Sequence, residues 1–187
     1  MGRPGQEVSL RRAVFLDRDG VLSRSLLRDG KPYAPTRVEE FELLPGVTDA
    51  VKRLHEAGFF LVVVTNQPDV RTGLTRLEDV EEMHRRLREW LPLDDIKACY
   101  HVDADACDCR KPKPGMLLTA AHELEIDLTR SWMVGDRWRD IETGKAAGCR
   151  NILIDYGYKE RKADTPDYIV KTLPEATEII LQRSPSV

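Results

Sequence analysis

Four short polar clusters in this chain could do chemistry, and their residue types point the same way. FLDRDG places Asp17 and Asp19 two residues apart, directly after an apolar run. A carboxylate can attack phosphorus and form an acyl-phosphate, which divides one hard displacement into two. The second carboxylate would serve as acid and then base. Such a pair also suits Mg²⁺, a hard cation that takes oxygen ligands and screens phosphoryl oxygens. VVVTNQ ends in Thr65, Asn66 and Gln67, a hydroxyl and a loop whose backbone N–H groups could meet a phosphoryl oxygen. RKPKPG carries Arg110 and Lys111, and Lys111 offers a fixed positive charge for a transition state. MVGDRWRD adds Asp136, a further carboxylate for the metal, and Asp140 four residues on, able to share its helical face. Asp140 could orient Lys111 or a metal-bound water. Each cluster alone has an ordinary explanation, such as a polar turn or a solvated loop cation. The four together, in this order after successive apolar runs, argue for one site.

A fifth cluster is of another kind. Cys99, His101, Cys107 and Cys109 read C-x-H-x5-C-x-C, with three of the chain's four cysteines inside eleven residues. Residues two apart point to one side of an extended backbone. Two such pairs on the arms of a short loop could therefore close a tetrahedron, and Cys₃His is a structural zinc set with no vacant position for substrate. The alternative is a strand with a buried Cys, a surface His and two free thiols. Cys149 stands alone and reads as a small core residue.

The elements that must hold these clusters alternate between strand and helix. Ala13–Leu16, Phe59–Val64, Ile96–Val102, Trp132–Val134 and Asn151–Ile154 are short apolar runs, as strands buried on both faces would be. Val47, Ala50, Val51 and Leu54 fall at helical spacing ahead of Gly58. Leu77–Leu91 is a charged amphipathic pattern, MLLTAAHELE follows Pro114, and Asp140–Ala147 ends at Gly148. This alternation predicts a parallel sheet with helices on both faces. Ligands of such sheets bind outside the carboxyl ends of the strands, where the polar clusters fall. The reading is of a single domain over residues 1–187, with a loose arm over about 1–10 and a loose tail over about 184–187. Asp19 to Pro45 is too short for a folded cap domain, so loops at Val21–Pro35, Pro68–Thr75 and the cysteine cluster would set access.

Composition narrows the classes. The chain has 187 residues, 41% hydrophobic and 33% charged, with net charge −3. That balance gives no footprint for nucleic acid or an anionic membrane. No apolar run approaches a membrane span, and the start lacks a signal-peptide h-region. A cytoplasmic monomer with reduced thiols is expected, and clustered cysteines there favour metal over disulfide.

DRDGV, VVVTNQ, RKPKPG and VGDRWRD together resemble the four motifs of the haloacid dehalogenase (HAD) superfamily of phosphatases, over about Ala13 to Ile154. The resemblance implies a Rossmann-like α/β sheet and the following roles. Asp17 would become aspartyl-phosphate, and Asp19 would protonate the leaving oxygen and then activate water. Thr65 and Lys111 would hold the phosphoryl oxygens. Mg²⁺ would sit on Asp17, the main-chain carbonyl of Asp19, and Asp136. The cysteine loop directly before RKPKP narrows the likeness to the D-glycero-D-manno-heptose 1,7-bisphosphate 7-phosphatases and the related histidinol-phosphatases. There a structural Zn²⁺ shapes a loop over the site, and Arg110 would meet the part of the substrate remote from the scissile phosphate. Asn66, Gln67, Arg137 and Arg28 are further candidates for the substrate pocket. Two departures stand out: PDVRTG follows TNQ where the heptose phosphatases have SGI, and GVLS follows the first motif where they have GTIN. Both fall on pocket loops, so they bear on the substrate and leave the chemistry alone.

The expected activity is thus a Mg²⁺-dependent phosphatase acting on a phosphorylated sugar, first of all heptose 1,7-bisphosphate at its 7-phosphate. Histidinol phosphate and nucleic-acid 3′-phosphates are rivals within the same chemistry, and the acidic balance speaks against the latter. A catalytically silent, zinc-stabilised binding module is the rival from another class.

Overall fold

A computed structural model describes residues 10–184. The predicted arm and tail therefore lie, apart from Leu10 and Ser184, outside the described residues. The main sheet has six parallel strands: β1 (Ala13–Leu16), β4 (Phe60–Asn66), β5 (Asp95–Cys99), β6 (Trp132–Gly135), β7 (Arg150–Ile154) and β8 (Tyr168–Val170). Their order is β5-β4-β1-β6-β7-β8. A separate antiparallel hairpin pairs β2 (Leu26–Arg28) with β3 (Lys31–Tyr33). The helices are α1 (Val47–Glu56), α2 (Asp69–Thr72), α3 (Leu77–Trp90), α4 (Gly115–Leu124), α5 (Trp138–Ala147) and α6 (Leu173–Arg183).

The strand period of two divides the core. Val14 and Leu16 of β1 join one apolar cluster with Val51 and Leu54 of α1, Met83 and Leu87 of α3, and Ala176 and Ile180 of α6. Ala13 and Phe15 face the other way, into a cluster with Met116, Leu117 and Ala120 of α4. All four β1 side chains are buried, which explains the unbroken apolar run. In α1 the residues predicted by spacing are the ones buried: Val47, Ala50, Val51 and Leu54. Burying a Val or Leu side chain contributes about 1.5–3 kcal/mol, so each face of β1 adds several kcal/mol of cohesion. Trp132, fully buried, belongs to the core as well.

The predicted helices and strands are present, with three differences. The fifth strand ends at Cys99, three residues before the expected Val102, because the chain turns to close the cysteine cluster. The hairpin lies beyond the sequence reading, although LLRDGKPY carries its signal. Asp29 and Gly30 both have positive φ, 52° and 79°, as a two-residue primed turn requires. The edge strand β8 and the helix α6 complete the far side of the sheet. Thr172 caps α6 by accepting from the Glu175 N–H at 3.3 Å.

Ionic patterning on α3 is as expected for a solvated face, with Glu82 paired to Arg85 at 2.7 Å and to Arg86 at 3.0 Å. His55 and His122 are exposed, whereas His84 is buried against the Arg18 guanidinium at 3.2 Å. Burial and that neighbouring charge hold the His84 imidazole neutral, down to about 3. Among the described residues no helix is long and apolar enough to cross a membrane.

Candidate active site

β1 and β6 are neighbours at the middle of the sheet, and both deliver carboxylates just past their ends. Asp17, Asp136 and Asp140 offer oxygens that lie within 4.8 Å of one another. The approach depends on Gly20, whose φ is +92° and where a Cβ would come within 1.9 Å of Asp136 Oδ2. Only a residue without a side chain lets the first loop pass this close.

Lys111 stands among these carboxylates. Its Nζ donates to Asp140 Oδ1 at 2.6 Å and to the Val64 carbonyl at 2.9 Å, and lies 2.9 Å from Asp17 Oδ1. Asn66 fixes its backbone from both sides: Nδ2 donates to the Lys111 carbonyl at 3.2 Å, and Oδ1 accepts the Lys111 N–H at 3.1 Å. Asp140 also accepts the Arg137 N–H at 3.0 Å, the reciprocal contact that starts α5. Asp140 thus pairs with Lys111 and with the start of α5.

Electrostatics follow from three buried carboxylates of which two, Asp17 and Asp140, share one ammonium. Burial pushes the Asp17 carboxyl up to about 6; Lys111 opposes this, while Asp140 and Asp19 add to it. Asp136 is raised well above the carboxylate range by burial and then by Asp17 and Asp140. Burial works against the Lys111 charge, but Asp140 and Asp17 outweigh it and hold the ammonium protonated. One oxygen, Asp136 Oδ1, is buried without a hydrogen-bond partner. A lone buried acceptor among excess negative charge is what a divalent cation would satisfy. The donor set of this chain therefore fits Mg²⁺.

Asp19 sits beside this group in a cage of donors. Arg18 reaches it through Nε at 3.1 Å and Nη2 at 2.9 Å, Ser23 Oγ donates at 3.0 Å, and Gln67 Nε2 donates at 2.8 Å. Gln67 also donates to Thr65 Oγ1 at 2.9 Å. Gln67 is buried (2% exposed), so it lines no open surface; it ties Thr65 to Asp19.

The cleft over these residues has a volume of about 260 Å³. Its walls include Asp17, Asp19, Thr65, Asn66, Lys111 and Asp140 from the strand ends, with Lys31–Ala34 from the hairpin above. Pro68 and Asp69, the departures noted in the sequence, line it too, and so does Arg137. Arg28 and Arg110 are not among the lining residues. Arg28 lies over the Tyr33 ring at 5.4 Å. Arg110 faces the cysteine loop instead, donating to Asp103 at 2.7 Å and to the His101 carbonyl at 3.0 Å. Arg139, which the sequence did not single out, takes a place in the cleft wall. It donates to the Lys111 carbonyl at 3.1 Å and to Asp103 at 3.2 Å. Asp103 thus joins two guanidiniums, that of Arg110, the residue before Lys111, and that of Arg139, which bonds the Lys111 carbonyl.

The cysteine cluster is assembled. Its sulfurs lie 3.1 to 3.7 Å apart, and His101 Nδ1 is 3.5 Å from Cys99 Sγ and 3.3 Å from Cys109 Sγ. A tetrahedron with Zn–S near 2.3 Å has S···S edges of roughly 3.8 Å, which the Cys99–Cys107 pair at 3.7 Å approaches and the other two pairs would reach by opening slightly. All four donors could hold one ion. A 3₁₀ turn, Asp103–Asp105, links the two arms.

Residues 108–176 match the HAD-hydrolase-like family model. The chain is 37% identical to a D-glycero-D-manno-heptose-1,7-bisphosphate 7-phosphatase of Thermosynechococcus vestitus, with 91% of this chain and 95% of that protein aligned. The chain belongs to the heptose-bisphosphate phosphatase family of HAD-like hydrolases. A second member, the D-glycero-beta-D-manno-heptose-1,7-bisphosphate 7-phosphatase of Pseudomonas aeruginosa, is also 37% identical, over 90% of this chain and 92% of its own. The fold agrees with that of a D,D-heptose 1,7-bisphosphate phosphatase from B. bronchiseptica solved with magnesium and phosphate. The TM-score is 0.75 at 29% identity, covering 92% of this chain and 99% of that one. As a member of this family the protein is a phosphatase, and the resemblance read from the four motifs is borne out.

Proposed function

We propose that this phosphatase removes the 7-phosphate from D-glycero-D-manno-heptose 1,7-bisphosphate through an aspartyl-phosphate on Asp17. The observation that carries the chemistry is the Lys111 ammonium bound to Asp17 and Asp140 at the floor of the cleft. The relatives aligned along nearly the whole chain carry the substrate. In this reading Asp17 Oδ attacks phosphorus and the bond to the sugar oxygen breaks. Asp19 gives that oxygen its proton. Water, surrendering a proton to Asp19, then attacks the acyl-phosphate and releases inorganic phosphate. Thr65 and Lys111 meet the phosphoryl oxygens. Asp17, the Asp19 carbonyl and Asp136 would hold Mg²⁺, which supplies charge neutralisation at the phosphoryl group. The cations of the cleft wall, Lys31, Arg137 and Arg139, suit a substrate with a second phosphate. A phosphate-release screen over heptose 1,7-bisphosphate, sugar monophosphates and histidinol phosphate, with Mg²⁺ present, tests the reading. The bisphosphate should give the highest kcat/KM; a preference for histidinol phosphate would overturn the assignment.

The cysteine cluster, in the same reading, binds a structural Zn²⁺. Three thiolates and an imidazole leave no position for substrate. The ion would fix Asp103, and with it Arg110 and Arg139 around Lys111. Protein purified without added zinc should carry about one Zn per chain. Stripping it should lower activity in a way that Zn²⁺ restores and excess Mg²⁺ does not. A zinc content near zero with full activity would refute this assignment.

A further inference from the structure

The segment after β7 touches the loop that follows β6 and the hairpin above the cleft through three consecutive residues. Tyr158 Oη donates to Asp136 Oδ2 at 2.8 Å. The Lys159 N–H donates to the Gly30 carbonyl at 2.9 Å, at the tip of the β2–β3 hairpin. Glu160 accepts from Arg137 Nε at 3.0 Å. Tyr156 stacks on Tyr158, with ring centroids 5.4 Å apart and 23° between planes. The phenol is therefore held from the side as well as by its hydroxyl.

A carboxylate on a free hinge can turn either oxygen to a cation, and ordering it costs affinity. At Asp136 the choice is already made. Oδ2 is occupied by the Tyr158 hydroxyl, which donates to it at 2.8 Å, and Oδ1 is buried and unpartnered. Hydrogen bonds of this kind behind a metal ligand are worth about 10- to 100-fold in metal affinity. We infer that Tyr158 is a positioning residue for the divalent cation: it presents Asp136 Oδ1 to the ion and, through Lys159, ties occupancy of the metal site to the hairpin that roofs the cleft. This rests on the Mg²⁺-dependent reading above.

The test is Tyr158→Phe, which keeps the ring that stacks on Tyr156, with Tyr156→Phe as control. Two readouts are needed: the Mg²⁺ concentration for half-maximal phosphate release, and the Mg²⁺ concentration that half-saturates the thermal stabilisation of substrate-free protein. Tyr158→Phe should raise both constants by about ten-fold, with kcat at saturating Mg²⁺ within about two-fold of the parent. Tyr156→Phe should move neither. In the parent, Mg²⁺ should slow hydrogen exchange at the Lys159 amide, and Tyr158→Phe should abolish that slowing. Unchanged Mg²⁺ constants in Tyr158→Phe, or an equal rise in Tyr156→Phe, would overturn the inference. Turnover independent of Mg²⁺ in the parent protein would instead overturn the reading on which it rests.

Discussion

Asp17→Asn is expected to lower phosphate release from every substrate by on the order of 10⁴-fold or more, the scale of losing a nucleophile. An amide cannot form the acyl-phosphate. The same substitution should leave the fold intact. The amide oxygen of the variant can still accept the Arg18 N–H, which the Asp17 carboxylate accepts at 2.8 Å, and Asp140 still pairs Lys111. Stability should respond in a pH-dependent way. The carboxyl of Asp17 lies near 6 in the folded chain against 3.8 ordinarily, so the native state keeps a proton that the unfolded state has released. Without divalent cation, the Asp17 contribution is therefore lost as pH rises from about 4 to about 6, and the Asp17→Asn substitution removes that loss. Thermal melts across this range in chelator-treated protein check the sign. Residual turnover near the parent level would exclude Asp17 as nucleophile.

Lys111→Met should damage both activity and stability, which separates it from Asp17→Asn. The ammonium is buried, and its removal strands Asp17 and Asp140 without their cation. Breaking a buried pair in this way costs about 3–5 kcal/mol. Loss of a fixed charge at the transferred group costs a further 10²–10³-fold, roughly, in kcat. Denaturant unfolding and phosphate release measured on the same samples should show both losses, with Mg²⁺ recovering part of the stability. A variant that stays as stable and as active as the parent would show that Lys111 is a bystander.

Asp17, Thr65 and Asp136 were legible in the sequence because each stands at the end of an apolar strand. A strand buried on both faces leaves little freedom in where its last residue points, so Asp17, Thr65 and Asp136 could be placed from pattern alone. Lys111 was read from RKPKPG, as the cation that the carboxylates and the Thr65 hydroxyl lacked. The hairpin was harder: its DG turn was present, but each arm is three residues long and Pro32 weakens any strand pattern. The Thr172…Glu175 cap of α6 was a readable signal as well. Tyr158 and Arg139 had no local signal. What Tyr158 touches depends on how the chain after β7 folds back toward Asp136, and what Arg139 touches depends on where the cysteine loop brings Asp103; periodicity encodes neither. Arg110 shows the limit in another way, since its neighbours in sequence suggested the substrate while Asp103 holds it on the loop.

The cysteine loop is closed on itself: its donors converge, and Asp103 fastens it to Arg110 and Arg139. Between His101 and Cys107 the chain makes one short turn at the surface, ending at Ala106 with φ 49°. Extra residues inserted there would leave the converging donors and Lys111 in place. Loop closure grows slowly with length, by about 0.6 kcal/mol per doubling. The turn is thus a graft point, an interchangeable module whose size can be altered while the catalytic frame stays constant. A library of inserts at residues 104–106 would reshape the surface beside Arg110 and Arg139 while the strand-end residues that line the cleft keep their places.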